Sequence, residues 1–186
     1  MIFDNLTSGS SGYFSWLSSG NCFKIDGTEC TLTKFMVDAG SAKTGWGKLG
    51  EGIAPHYVWA EIAGTRIPKP ADDYKVAISV DVYVSTKFGA PVDGWRPWST
   101  TASASREALR EIWHEVDAGA KANPGKHAVI EVTGSVVKDF GKAKVRMPTL
   151  KVAGWAPAPE DKAAPVEAAP PPPPAPALAA TDEDLF

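Results

Sequence analysis

Lys43-Thr44-Gly45-Trp46-Gly47-Lys48 sets a tryptophan between two glycines and two lysines. Glycines are poor core neighbours, so the segment reads as a loop offering a flat indole with ammonium groups on either side. Lys87-Phe88-Gly89 and Trp95-Arg96-Pro97-Trp98 repeat the pairing of ring and cation. Rings that stack on bases, at about 1–3 kcal/mol each, beside cations that follow a phosphate backbone are the chemistry of single-stranded nucleic-acid binding. Tyr57 and Trp59 fall on one face of a strand and Tyr83 on the polar face of another, each usable as platform or as core. The competing assignment has Trp46, Trp95 and Trp98 closing the ends of a β-barrel. Trp16, Trp113 and Trp155 are assigned to packing.

A second set of cations lies near the end of the body. Folding residues 136–146 about Phe140-Gly141 sets Val136 opposite Val145, with Val132 and Met147 on the inner side. The outer face then carries Lys142, Lys144 and Arg146 beside Thr133 and Ser135. Alternate strand positions are about 6.6 Å apart, close to the phosphate spacing of an extended single strand. The same row also serves as a charged edge that blocks strand-to-strand aggregation.

The third feature is Thr181-Asp182-Glu183-Asp184-Leu185-Phe186, three carboxylates followed by two bulky apolar residues. A run of like charge is an interaction or solubilising tail. Leu185 and Phe186 favour interaction, since they add nothing to solvation and suit a small apolar pocket rimmed by Lys or Arg.

These groups must be positioned by a β-rich body. Lys75 to Ser85 alternates, with Val76, Ile78, Val80, Val82 and Val84 on one face, as a half-buried strand does. Further strands are expected over 13–17, 29–37, 56–62, 127–138 and 142–152. Phe23 to Cys30 predicts a hairpin on Asp26-Gly27, pairing Ile25 with Thr28 and Phe23 with Cys30. Cys22 and Cys30 then point to opposite faces and stay free thiols. A helix is expected over 105–121, from the stripe Ala108, Leu109, Ile112, Trp113 and Val116, with Ser103 or Ser105 as cap and Asn123-Pro124-Gly125 as stop. Several strands, one helix and a final hairpin fit a mainly β, OB-fold-like Greek-key barrel with the helix before the last hairpin. Other small barrels with one helix fit as well.

Composition divides the chain at residue 155. Residues 156–186 hold nine Pro and ten Ala, one Lys and six acids, for a charge of −5. Such a segment cannot bury enough apolar surface to fold. With −3 on the whole chain, residues 1–155 carry +2 and all seven Trp. A basic body beside an acidic tail suits an anionic ligand for which the tail competes. There is no membrane-length apolar run and no signal-peptide pattern after Met1, so a soluble, cytoplasmic protein is expected.

In organisation, and in Asp182, Glu183, Asp184, Leu185 and Phe186, the chain resembles the single-stranded-DNA-binding proteins of bacteriophages and their bacterial counterparts. Those bacterial proteins usually end in Pro-Phe; the Leu-Phe ending here is similar to the phage versions. The resemblance implies a non-enzymatic protein that coats single-stranded DNA without strong sequence preference during replication, recombination or repair, in the bacterial host cytoplasm if phage-encoded. It implies a tail that recruits polymerases, primases, helicases or nucleases and competes for the DNA groove. No cofactor or metal is expected, and self-association is left open. His56, His114 and His127 match no metal motif, and the P-loop, Rossmann and G-x-S-x-G patterns are absent. Two alternatives stand: a structural or virion-associated β-domain with a solubilising tail, and a nuclease built on Asp81, Asp117 and Glu131.

Overall fold

The computed structural model describes residues 12–50, 53–141, 143–157 and 159. Its strands are β1 (Phe14–Leu17), β2 (Cys22–Ile25), β3 (Thr28–Cys30), β4 (Lys34–Gly50), β5 (Ile53–Trp59), β6 (Lys75–Val84), β7 (Gly94–Thr100), β8 (Lys126–Asp139) and β9 (Lys144–Pro157). Helix α1 (Ser103–Ala122) joins β7 to β8. The larger sheet runs β7-β6-β4-β8-β9, all antiparallel, with β5 paired to the second half of β4. That order, with the helix between the third and fourth of these five strands in chain order (β7 and β8), is the OB-like connectivity expected from the sequence. The barrel is not closed, because β7 and β9 do not pair among the described residues.

The smaller sheet, β1-β2-β3, spans that opening. Its Asp26 side chain binds Arg96 of β7, and Trp16 Nε1 donates to the Arg146 carbonyl of β9 at 2.9 Å. Its inner face supplies Phe14, Phe23 and Ile25 to the core, where Phe14 packs on Phe23, Phe35 and Trp98 with centroids 5.0–5.4 Å apart. Burying each such side chain contributes about 1.5–3 kcal/mol. The Asp26-Gly27 turn gives the expected pairing of Ile25 with Thr28 and Phe23 with Cys30, and both cysteines are free.

Helix α1 buries Ala108, Leu109, Ile112 and Val116, with Trp113 partly covered, as its periodicity requires. Its start differs from expectation. Ala102 is the N-cap without a side-chain cap, while Ser105 lies buried in the first turn. Asn123 ends the helix as expected, its Nδ2 donating to the Gly119 carbonyl at 2.9 Å.

Two segments expected to be loops are strands. Residues 38–50 continue β4 through a bulge between Asp38 and Lys43. Gly45 and Gly47 are there for space: a Cβ on Gly45 would sit 2.1 Å from the Val58 carbonyl oxygen, and one on Gly47 would sit 2.7 Å from the Tyr57 ring. The Trp95–Trp98 stretch is the middle of β7. Pro97 fits because β7 is an edge strand and loses no ladder bond through its missing N–H.

The last hairpin also corrects its expected register. Its turn takes four residues, 140–143, closed by the Phe140 N–H to the Ala143 carbonyl, so Val136 faces Met147 rather than Val145. The shift is two residues; a bulge between Val132 and Gly134 also turns Val132 to the opposite face from Met147, and Val136, expected on the inner side, is 48% exposed. β9 continues through Ala156 and Pro157, paired with His127 and Lys126, which moves the end of the folded body past residue 155.

Candidate nucleic-acid interface

Along β6 the side chains of Val80, Val82 and Val84 enter the core, so Ala77, Ser79, Asp81 and Tyr83 lie on the opposite face. The register continues that outer face onto Trp95, Pro97 and Ser99 of β7 and onto Gly45 and Gly47 of β4. It reaches Tyr57 and Trp59 of β5, paired with Gly47 and Gly45. The bare glycines leave room for the β5 rings. Tyr57 and Trp59 stack on each other with centroids 5.0 Å apart and planes within 11°, both half-buried. The Tyr57 hydroxyl donates to the Ser99 carbonyl at 3.4 Å, and burial pushes its pKa up.

A second aromatic group lies towards the other end of the face. Tyr83 meets Trp95 edge-on at 5.6 Å, and Trp95 meets His127 of β8 at 5.0 Å, with His127 Nδ1 3.6 Å from the Asp38 carboxylate. The rings of Trp95 and His127 thus reach towards each other across β6 and β4. His127 belongs to no motif that marks it in the sequence, but its alternation with Val129 on β8 puts it on this face. Lys43, opposite Ser79, and Lys75, opposite Gly47, are exposed cations on the same face. Asp38 and Asp81 face each other between the two aromatic groups, so the middle of the face is acidic.

The remaining candidates are placed elsewhere. Trp98 is wholly buried, 0% exposed, and belongs to the core; it is removed from the stacking set. Arg96 points to the core side and is bonded to Asp26, so it joins the two sheets and is not free for phosphate. Trp46 lies on the side of β4 opposite Tyr57 and Trp59, beneath the 64–67 segment, with Nε1 donating to the Ile67 carbonyl at 3.0 Å and Lys69 6.0 Å above its ring. Lys48 pairs with Asp73 at 2.6 Å, which raises the lysine pKa and lowers that of the aspartate.

Lys87 and Phe88 form a 3-10 turn after β6. Phe88 is 38% exposed and its carbonyl accepts from the Thr33 N–H, so this pair sits by the β3–β4 connection. Lys144 and Arg146 are exposed on β9, the far edge of the sheet from β7, without an ion pair among the described residues. Lys142 and the segment from Asp182 to Phe186 lie outside the described residues.

The carboxylates of the nuclease alternative are dispersed. Asp81 is on the outer face of β6, Asp117 is on α1 bonded to Lys121 at 2.7 Å, and Glu131 faces Lys34. Among the described residues no group of three or more His, Cys, Asp and Glu could hold a metal ion, and no helix is long and apolar enough to cross a membrane.

The structure thus defines a mainly β protein, open and OB-like, with an aromatic outer face. No protein-family model, curated protein or solved structure matches the chain.

Proposed function

We propose that this protein binds single-stranded DNA with little sequence preference, as a non-enzymatic coating protein of DNA replication, recombination or repair. The observation that carries the reading is the outer face of β5, β4, β6 and β7. It bears Tyr57, Trp59, Tyr83 and Trp95 away from the core, on the strands and the inter-strand arm that OB-folds use for oligonucleotides. Rings held on strands are pre-oriented, so a base that stacks on them costs little ordering on the protein side. Lys43 and Lys75 supply positive charge beside the rings, and Lys144 with Arg146 extend it along the far edge. Partner proteins of replication or recombination are assigned to the acidic 182–186 segment, and the working location is the bacterial cytoplasm.

The test is a titration of intrinsic tryptophan fluorescence with oligo-dT, beside a duplex of the same length, at two salt concentrations. The expected result is salt-sensitive quenching by the single strand and little by the duplex. Absence of both quenching and retention on immobilised oligo-dT at low salt would overturn the proposal.

A further inference from the structure

A cleft of about 440 Å³ opens between α1 and the bulged part of β4 and β6, on the opposite side of β6 from Tyr83 and Asp81. Its walls are apolar: Ala39 and Ala42 of β4, Ile78 and Val80 of β6, Leu109 and Trp113 of α1. Its rim is basic, carrying Lys43, Arg106 and Arg110. Nε of Arg106 is buried and has no hydrogen-bond partner among the described residues. Arg110 is held by Glu107, and the one acid of the lining, Asp117, is neutralised by Lys121. The volume lies within the range of ligand sites, and the chemistry asks for a bulky apolar group next to negative charge.

We propose that this cleft is the docking site of the chain's own segment Asp182–Phe186. Leu185 and Phe186 fill the apolar floor while Asp182, Glu183 and Asp184 face the rim cations. The leash allows it. Trp155 packs against Gly119, and Pro157 pairs with Lys126, so the chain leaves β9 beside the C-terminal half of α1. Gly119 to Trp113 is about 9 Å along the helix axis. The 24 residues from 158 to 181 reach roughly 25–30 Å as a coil. Docking is therefore intramolecular, with an effective concentration of order millimolar, so weak contacts suffice. The cleft opens on the other side of β6 from Tyr83 and Asp81 and shares Lys43 and Ser79 with the aromatic face, and the proposal does not depend on DNA binding.

The test places a photo-crosslinking benzoyl-phenylalanine at position 186 of the full chain, irradiates it at low concentration and maps the products by peptide mass spectrometry. The expected products join residue 186 within one chain to peptides holding residues 39–44, 78–80 or 106–113. In the same protein D182K/E183K/D184K, which leaves the folded body untouched, lowers their yield at least about fivefold, and adding R106E restores part of it. Crosslinks to β5 or β7, links between two copies, no crosslink at all, or a yield indifferent to the charge reversal would each overturn the proposal.

Discussion

Both carboxylate oxygens of Asp26 accept from Arg96 Nε, at 3.1 and 2.9 Å, across the join between the small sheet and the open edge of the large one. Tyr13 and Asp26 are bonded to each other on the same turn, through the Tyr13 N–H at 2.8 Å and the Asp26 N–H at 3.0 Å. One half-buried ion pair therefore anchors the end of the β1-β2-β3 sheet that covers Phe35 and Trp98.

Arg96→Ala is expected to lower stability by about 1–2 kcal/mol, the loss of charge-assisted hydrogen bonds that leaves Asp26 with the Tyr13 N–H but without its cation. Its effect on DNA binding is expected to stop there. The salt slope of oligo-dT affinity should match that of the parent protein at temperatures where both are folded. A slope reduced by about 0.7, one phosphate contact on a single strand, would return Arg96 to the interface.

The two tryptophan classes separate in one experiment. Trp98→Ala removes a wholly buried indole and is expected to cost about 3–5 kcal/mol in a urea melt. Trp59→Ala removes a half-buried ring stacked on Tyr57 at the sheet surface. It should weaken oligo-dT binding by about 1–3 kcal/mol, roughly five- to 150-fold, with the smaller loss of stability. If Trp59→Ala leaves affinity unchanged, the outer face is not the stacking surface.

How far the sequence discloses this arrangement depends on whether local chemistry dictates the backbone. Asp26-Gly27 fixes a two-residue turn, so the Phe23–Cys30 pairing follows directly. The valine alternation of β6 and the stripe of α1 are equally legible. β4 beyond Val37 and β7 are hidden because Gly45, Gly47 and Pro97 carry the marks of loops. Their reasons, a neighbouring strand pressing close and an edge position, exist only after assembly. For the same reason, Tyr57 and Trp59 are recognisable as a same-face pair, whereas the core role of Trp98 and the Asp26 partner of Arg96 need the long-range register.

Gly45→Ala tests that close approach. The added methyl would meet the Val58 carbonyl oxygen and the Trp59 Cα at 2.1 and 2.9 Å, backbone atoms that cannot rotate away. Separating β4 from β5 should cost about 1–3 kcal/mol, as overpacking does, and disturb the Tyr57–Trp59 stack. Gly64→Ala is the control for added side-chain volume, since no atom lies within 4 Å of its Cβ position, though its φ of +82° carries a strain of its own. Gly45→Ala should therefore lose oligo-dT affinity while Gly64→Ala keeps it, a contrast read by the same fluorescence titration.

Acid stability should report the contact between α1 and the last hairpin. Glu107 accepts from Arg110 and from Lys138, and these bonds lower its pKa from 4.5 to about 2. A carboxylate depressed in the folded state stabilises above its ordinary pKa and loses that contribution as pH falls towards the folded value. The protein should thus lose stability between about pH 4.5 and 2, and Glu107→Gln should flatten that part of the profile while lowering stability at pH 7. Thermal melts at half-unit pH steps decide it, and a profile that keeps its full slope in the variant would place the acid sensitivity elsewhere.

The β9 cations are the part of the DNA reading most exposed to failure, since the aromatic face and the Lys144–Arg146 row lie at opposite ends of the strand order. A strand that engages both must cross the sheet, and each exposed cation it meets releases counterions. Lys144→Gln with Arg146→Gln should then reduce the slope of log affinity against log salt by about 1.4, from roughly 0.7 per phosphate, with fluorescence quenching at saturation unchanged because the rings are untouched. An unaltered slope with intact quenching would confine the bound strand to the β5–β7 face and leave Lys144 and Arg146 as charges that guard an exposed edge against pairing with another chain.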